Sequence, residues 1–570
     1  MAGSKITDKI ALIAIVAALL VTAAFTRGEA LGIRKIVPTE ESSLFTDNDL
    51  DDSWDTSQAT VITLTGDNAE IEGDGAYFRD GNLIIFSAGK YILRGTLTDG
   101  SVIVDETSKT TGKTWILADG VDVYCSDSAA LDIEEADKVF LTLADGTENS
   151  FSSGAEYSDA AVENSIRGAV FSRDDLTVNG TGSLSVSAEY RHGIVCNDDL
   201  RIAGGTVTVT AAEDGIHAND SAVFGNMDLT VSAGDDGITC SNDEDTAYIT
   251  FESGTVNITE CAEGIEAKTI TVNGGDISVS FTDDGFNAGG TDSLLTVNGG
   301  TITLLSADGR DVDGLDSNGD IVINGGTIFV SVTADGMNNA IDFGSESGGN
   351  CFINGGTVIA AGSSGMAEAM SGDSAQASLM YNFDENQAAG QTIVLKAADG
   401  STVLEETIPY SFSSLVLSSP SFAAGDSFTL LVGETSYDIE LTETATTYGN
   451  AGFGGMGGGM GGPGGGFGRR IDAQDSESGD REFTGPPEGF DGEMPESAQN
   501  GEFPQDGVGP RDGEFPQGGG FGGPVEEQEE DTGMSPEEVK TALAISGVSL
   551  LVLLCGIFAA SRMKNRKNIA

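Results

Sequence analysis

Positive charge is what this sequence has least of for its size: 27 Lys and Arg stand against 91 Asp and Glu in 570 residues, a formal net charge of −64. Phosphate backbones and anionic surfaces are bound through clustered Lys and Arg, so nucleic acid is excluded as a partner and cations become the natural one. Histidine is almost missing, with only His192 and His217 in the chain. The two follow no ligand spacing and read as incidental surface residues. Cysteine is also sparse, six residues without a framework pattern. Cys196 and Cys240 fall two repeats apart, roughly 9.6 Å from the strand spacing, beyond the ~7 Å reach of a disulfide. Cys125, Cys261 and Cys351 have no spacing signature and Cys555 lies in an apolar C-terminal run, so buried free thiols are expected rather than disulfides or a zinc site. No repeat carries a run of helical period, so leucine-rich and helical solenoids fit poorly.

What the chain has in abundance is glycine, 80 residues, set in a recurring phrase of acid, glycine and bulky apolar residue. It reads Asp214-Gly215-Ile216, Asp236-Gly237-Ile238, Glu263-Gly264-Ile265, Asp284-Gly285-Phe286, Asp313-Gly314-Leu315 and Asp335-Gly336-Met337. A period of two to three dozen residues marks stacked units that bury a core only against their neighbours. Between these phrases come Asn273-Gly274-Gly275, Asn298-Gly299-Gly300, Asn324-Gly325-Gly326 and Asn354-Gly355-Gly356, each followed by alternation such as Thr301-Ile302-Thr303-Leu304. Alternation of period two predicts strand, and Asn-Gly pairs predict turns. The fold class read from this pattern is all-β: a right-handed, single-stranded parallel β-helix, a solenoid whose coils sit ~4.8 Å apart.

The rest of the chain divides around that solenoid. Residues 1–30, with Lys5 and Lys9 before an apolar run from Ile10 to Phe25, predict an export signal or an uncleaved signal anchor. The β-helix with its N-terminal cap is assigned to 57–376, and a small C-terminal β module that caps it to 377–446. Residues 447–536 are rich in glycine, proline and acid and bury too little to fold, so they read as an extended stalk. An apolar stretch at 541–560 followed by the basic tail 561–570, with Arg562, Lys564, Arg566 and Lys567, predicts a membrane-spanning helix. The bulk of the protein is then expected on the cell surface, tethered at its C terminus.

Aligned on the repeat glycine, two columns carry the candidate chemistry. The residue before the glycine gives Asp214, Asp236, Glu263, Asp284, Asp313 and Asp335; two residues after it come His217, Thr239, Glu266, Asn287, Asp316 and Asn338; Asp235 and Asp283 double the first column. Carboxylates at one strand spacing repel unless neutralised. Ca²⁺ takes six to eight oxygen ligands in flexible geometry, so Asp214, Asp235, Asp236, Glu263, Glu266, Asp283, Asp284, Asp313, Asp316 and Asp335 are candidate calcium ligands. Solvated turn residues are the competing reading. The Asn column before Gly-Gly reads as a structural hydrogen-bonded ladder. Among the aromatics, Tyr157, Tyr190 and Phe286 are possible sugar platforms; Phe286 replaces an inward Ile and fits the core, whereas Tyr190-Arg191-His192 suits a surface contact. No catalytic residue is assigned.

Residues Gly193 to Phe343, with their Asp-Gly-Ile and Asn-Gly-Gly phrases, and Leu141-Thr142-Leu143-Ala144-Asp145-Gly146-Thr147-Glu148-Asn149 upstream resemble the bacterial surface family of carbohydrate-binding domains with a pectate-lyase-like β-helix. Phe412 to Pro420 resembles that family's closing module. The resemblance covers about residues 57 to 446. It implies a calcium-loaded right-handed β-helix that binds cellulose and acidic pectic polysaccharide, without established lyase activity. Three classes stay open: a calcium-dependent carbohydrate-binding protein with Tyr190, Arg191 and Arg310 at the glycan, a calcium-dependent polysaccharide lyase in which Arg310 is the first candidate base, and a surface spacer or adhesin. The oligomeric state is left open.

Overall fold

The computed structural model describes residues 44–106, 112–242, 245–307, 312–334 and 338–449. The segments assigned to the export signal, to the membrane-spanning helix and, past its first residues, to the stalk lie outside them. Among the described residues no helix is long and apolar enough to cross a membrane.

The chain is all-β, and each repeat adds one strand to each of three parallel ladders. One repeat runs His192–Cys196, Asp199–Ile202 and Thr206–Ala211 before the next begins at Ile216–Ala218. Each strand pairs in parallel with its counterpart one repeat later: Ile194 with Ile216, Leu200 with Ala222, Val207 with Leu229. The first kind of strand builds an eleven-stranded sheet, and the other two belong to a large parallel-rich sheet.

Why these residues make strands shows in the burial. Along Thr206–Ala211 exposed and buried positions alternate, with Val207, Val209 and Ala211 inside and the threonines outside. β-branched residues suit such a half-buried pleat. The interior is one continuous apolar core of Ile, Leu and Val from all three ladders. The small column Cys196, Ala218, Cys240, Ala267, Ala288 and Ser317 points into it in register. All five described cysteines are buried and free. Phe286 is fully buried between Ile265 and Leu315, the core role its place in the phrase implies.

Two glycine positions are dictated by close approach. At Gly215, in the acid-Gly-apolar phrase, an added Cβ would lie 2.3 Å from Val231 Cγ1 and 2.7 Å from the Gly237 carbonyl oxygen. At Gly300, in the Asn-Gly-Gly turn, φ is +85° and a Cβ would meet the Gly275 carbonyl oxygen at 2.6 Å. The Asn column forms the expected ladder: Asn298 Nδ2 donates to Asn273 Oδ1 (2.8 Å), Asn324 to Asn298 (2.9 Å) and Asn354 to Asn324 (3.0 Å).

Strands Ser378–Gln387, Phe412–Ser418 and Ala445–Tyr448 close the edge left by Thr357–Gly362, which pairs antiparallel with Phe412–Ser418. A four-stranded antiparallel sheet beside them shares their separate core, built on Leu379, Ile393, Phe412 and Leu430. Covering the last strand in this way removes an exposed edge that would otherwise pair with other chains.

Candidate functional site

The outward side chains of the eleven-stranded sheet form one column through the middle of its strands. In pairing order it runs Asp132, Phe171, Val195, His217, Thr239, Glu266, Asn287 and Asp316. Its upper part is covered, because Phe171 and Val195 pack against Ala129 and against Tyr157, Ala161 and Ile166 of a loop bearing the short helix Asp159–Glu163. From His217 onward the column carries polar side chains.

Beside it stands the column that precedes the glycines: His192, Asp214, Asp236, Glu263, Asp284, Asp313. Register is fixed by the backbone, since the Gly215 amide donates to the Asp236 carbonyl, Gly237 to Glu263, Gly264 to Asp284 and Gly285 to Asp313, each at 2.8 Å. The acids also use a side-chain oxygen structurally. Asp236 Oδ1 accepts from the Glu263 amide (3.3 Å), Asp284 Oδ1 from the Asp313 amide (2.8 Å) and Asp313 Oδ1 from the Asn339 amide (2.7 Å). A carboxylate has a second oxygen beyond the one such a bond takes, and the two columns meet side to side where Asn287 Nδ2 donates to Glu263 Oε2 at 3.0 Å, while within the outward column Thr239 Oγ1 donates to Glu266 Oε2 at 3.0 Å.

Crowding leaves these acids reluctant to ionise. Burial first, then the neighbouring charges of Glu263 and Asp214, pushes Asp236 up to about 8. Burial and Glu266 take Glu263 to about 7, and burial with Asp342 takes Asp313 to about 9. Each cause disfavours negative charge, and each is what a bound cation would offset.

Asp214 behaves differently. His217 Nδ1 lies 2.8 Å and His192 Nδ1 3.1 Å from its Oδ2. Burial works against its charge, but the bonds to His192 and His217 outweigh burial and hold it well below the ordinary carboxylate range. The two imidazoles stand 5.0 Å apart, centre to centre. The reading of both histidines as incidental surface residues is therefore corrected: His192 is buried, His217 half-buried, and they converge on one carboxylate. The signal was present, since His192-Gly193-Ile194 has the form of the repeat phrase with His in the place of the acid. Its ladder position follows from that.

Around this cluster, Tyr190 is half-buried and its ring lies 4.4 Å from that of Tyr157, whose hydroxyl donates to the Gly168 carbonyl. Arg191 is exposed, at φ 54°, with Nε 3.5 Å from Glu213. Arg167 donates to Asn197 and Asn219, while its Nε is buried without a partner. Sequence reasoning did not place Arg167 beside His192; the Arg167 carbonyl accepts the His192 amide, a link made by the pairing of successive repeats. Other basic side chains are engaged by acids: Arg173 by Glu134, Arg201 by Asp199 and Lys268 by Asp245.

The structure brings Asp214, Asp236, Glu263, Glu266, Asp284, Asp313 and Asp316 onto this one face. Asp235 and Asp283 are exposed in the turns leading to it. Asp335 and Arg310 lie outside the described residues. The column position given to Asn338 is corrected, however. Gly314 donates to the Asn339 carbonyl and Leu315 bridges to Ile341, so the last member is Asn339-Ala340-Ile341 and the second column ends on Asp342 rather than Asn338. Asn338 instead accepts the Val312 amide. A separate acidic trio, Asp175, Asp198 and Asp199, gathers on the neighbouring ladder with Lys138 and Arg201 against it.

A carbohydrate-binding domain-containing protein from Acetivibrio thermocellus is 37% identical over 214 residues, 36% of this chain and 73% of the relative. A solved polysaccharide lyase-like protein from C. thermocellum, a gadolinium derivative, is 26% identical over 46% of this chain and 96% of its own, at a TM-score of 0.38. Residues 79–364 match the family described as carbohydrate-binding domain-containing protein, a span that holds the whole of both columns, Tyr190 and Arg191. The chain belongs to the family of carbohydrate-binding domain-containing proteins.

Proposed function

We propose that this chain is an exported, membrane-tethered right-handed parallel β-helix that binds Ca²⁺ along its paired columns and a cell-wall polysaccharide, cellulose or acidic pectic glycan, on the same face. The observation that carries this reading is the meeting of two columns of oxygen donors, Asp236, Glu263, Asp284 and Asp313 with Glu266, Asn287 and Asp316, at successive strand spacings. The donor set fits a hard cation: carboxylates and an amide, crowded enough to resist full ionisation. Bound Ca²⁺ would supply the positive charge through which a polyanionic glycan approaches a protein of net charge −64. Tyr190 offers a ring face and Arg191 an exposed guanidinium for uronate or hydroxyl groups. Family membership supports the carbohydrate partner. Surface tethering rests on the apolar stretch 541–560 and the basic residues after it.

Calorimetry of the metal-stripped protein with Ca²⁺, then with polygalacturonate and cellulose, tests the proposal, with absorbance recorded for unsaturated products. Glycan binding that requires Ca²⁺ and yields no product supports it. Accumulating unsaturated uronates would make the protein a lyase, and absence of both metal and glycan binding would leave a surface spacer.

A further inference from the structure

The two histidines make one end of the acidic columns chemically unlike the remainder. Everywhere else the paired columns present oxygen; here two imidazole nitrogens and one carboxylate oxygen converge, with all three donor atoms within 4.8 Å of one another. These are the chain's entire histidine content, placed one repeat apart so that both Nδ1 atoms address the same oxygen.

Hydrogen-bond accounting shows a conflict at His192. Its Nδ1 lies 3.2 Å from the Asp214 amide nitrogen and 3.1 Å from Asp214 Oδ2, and a ring nitrogen carries either one proton or one lone pair. Protonated, it donates to Oδ2 and leaves the amide without an acceptor; unprotonated, it accepts the amide and faces a second acceptor. His217 Nδ1, 2.8 Å from the same oxygen, does not relieve the conflict. A cation shared by Nδ1 and Oδ2 joins the two in place of a proton. On the far side of the ring, Glu213 Oε2 stands 3.7 Å from Nε2 of His192, longer than a hydrogen bond and within reach of one if the Glu213 side chain turns toward the ring.

We propose that His192 Nδ1, His217 Nδ1 and Asp214 Oδ2 bind one late transition-metal cation of the Zn²⁺ type, separate from the oxygen-lined calcium positions. Zinc ligands at about 2.0–2.1 Å in tetrahedral array stand ~3.3 Å apart. The donor pairs at 2.8 and 3.1 Å need to open only by a few tenths of an ångström. Imidazole is a poor ligand for Ca²⁺ and a good one for Zn²⁺, so the histidines convert the end of a hard-cation column into a borderline site. Three protein donors leave the fourth position to water or a ligand oxygen, on the side of the half-buried His217. By joining successive repeats the ion also fixes the base on which Tyr190 and Arg191 stand.

The test uses the whole protein, stripped with chelator and titrated with Zn²⁺ in excess Ca²⁺, with Co²⁺ as a spectroscopic probe. One equivalent of Zn²⁺ is expected to persist in Ca²⁺, and Co²⁺ to give the intense visible bands of a four-coordinate site with nitrogen ligands. H217Q and H192Q should each weaken Zn²⁺ about 100-fold or more and abolish the Co²⁺ bands, with E213Q costing about 10-fold. Ca²⁺ stoichiometry should not change in H217Q. Should H192Q fail to fold, H217Q alone decides, since that side chain is less buried than His192. Zn²⁺ binding that disappears in excess Ca²⁺, or that H217Q leaves unaltered, overturns the proposal and marks the ion as a guest of surface carboxylates. Loss of glycan or Ca²⁺ binding with the Zn²⁺ site intact would refute the proposed function and leave this inference standing.

Discussion

Replacing Asp313 by Asn separates the two roles of the acidic column. In the metal-free protein Asp313 retains its proton up to about 9, because burial and the charges of Asp342, Asp284 and Asp316 oppose ionisation. In the unfolded chain the same group ionises near 4. Between those values the native state binds the extra proton, so stability falls as pH rises, by ~1.4 kcal/mol for each pH unit. At neutral pH the accumulated penalty approaches about 4 kcal/mol, an upper bound because the side chain is partly open to water. D313N retains the oxygen that accepts the Asn339 amide and removes the ionisation. In EDTA at pH 7 the variant should be more stable than wild type by up to that amount, and the two should match near pH 4. With excess Ca²⁺ the order should reverse, since an amide is a weaker ligand than a carboxylate and wild type gains more by mass action. Denaturant unfolding at the two pH values, with and without Ca²⁺, measures all four quantities. A D313N variant less stable than wild type in EDTA at pH 7 would refute the electrostatic argument, and equal stabilisation of both proteins by Ca²⁺ would remove Asp313 from the ligand set.

Gly264→Ala should cost about 1–3 kcal/mol, because the new methyl would sit 2.3 Å from the Gly285 carbonyl oxygen and 2.5 Å from Val279 Cγ1. Gly372→Ala, with nothing within 4 Å, is the control and should leave the denaturation midpoint unchanged. Asn298→Asp breaks the ladder at one rung, since Oδ1 of Asn273 loses its donor; on an exposed turn the loss should be about 0.5–1.5 kcal/mol and grow as the new acid ionises, which melting at pH 3 and pH 7 compares. Tyr190→Ala removes the ring that lies 4.4 Å from Tyr157. It should lower polygalacturonate affinity about 10-fold while Ca²⁺ binding stays intact, and an unchanged glycan isotherm would take Tyr190 out of the binding surface.

What was legible in the sequence was whatever repeats. The Asn-Gly-Gly turns, the inward column from Cys196 to Ser317 and the burial of Phe286 each follow from one residue doing the same task in every repeat, so alignment on glycine amounts to alignment in space. Where repetition ends, the inference ends too. Counting from the repeat glycine puts Asn338 in the second column, yet the ladder is carried on by Asn339, Ala340 and Ile341, and no local property of Asn338 reveals the change. The histidines were hidden for a related reason. Ligand spacing as usually read assumes one helix or one turn, where donors a few residues apart share a face; here the relevant distance is one repeat, and His192 reaches Asp214 and His217 only because parallel strands carry residues two dozen positions apart to about 5 Å. In a stacked fold, chemistry is written across repeats. A rare residue that occupies a repeat position held elsewhere by acids therefore belongs to the site by geometry, whatever its composition alone implies.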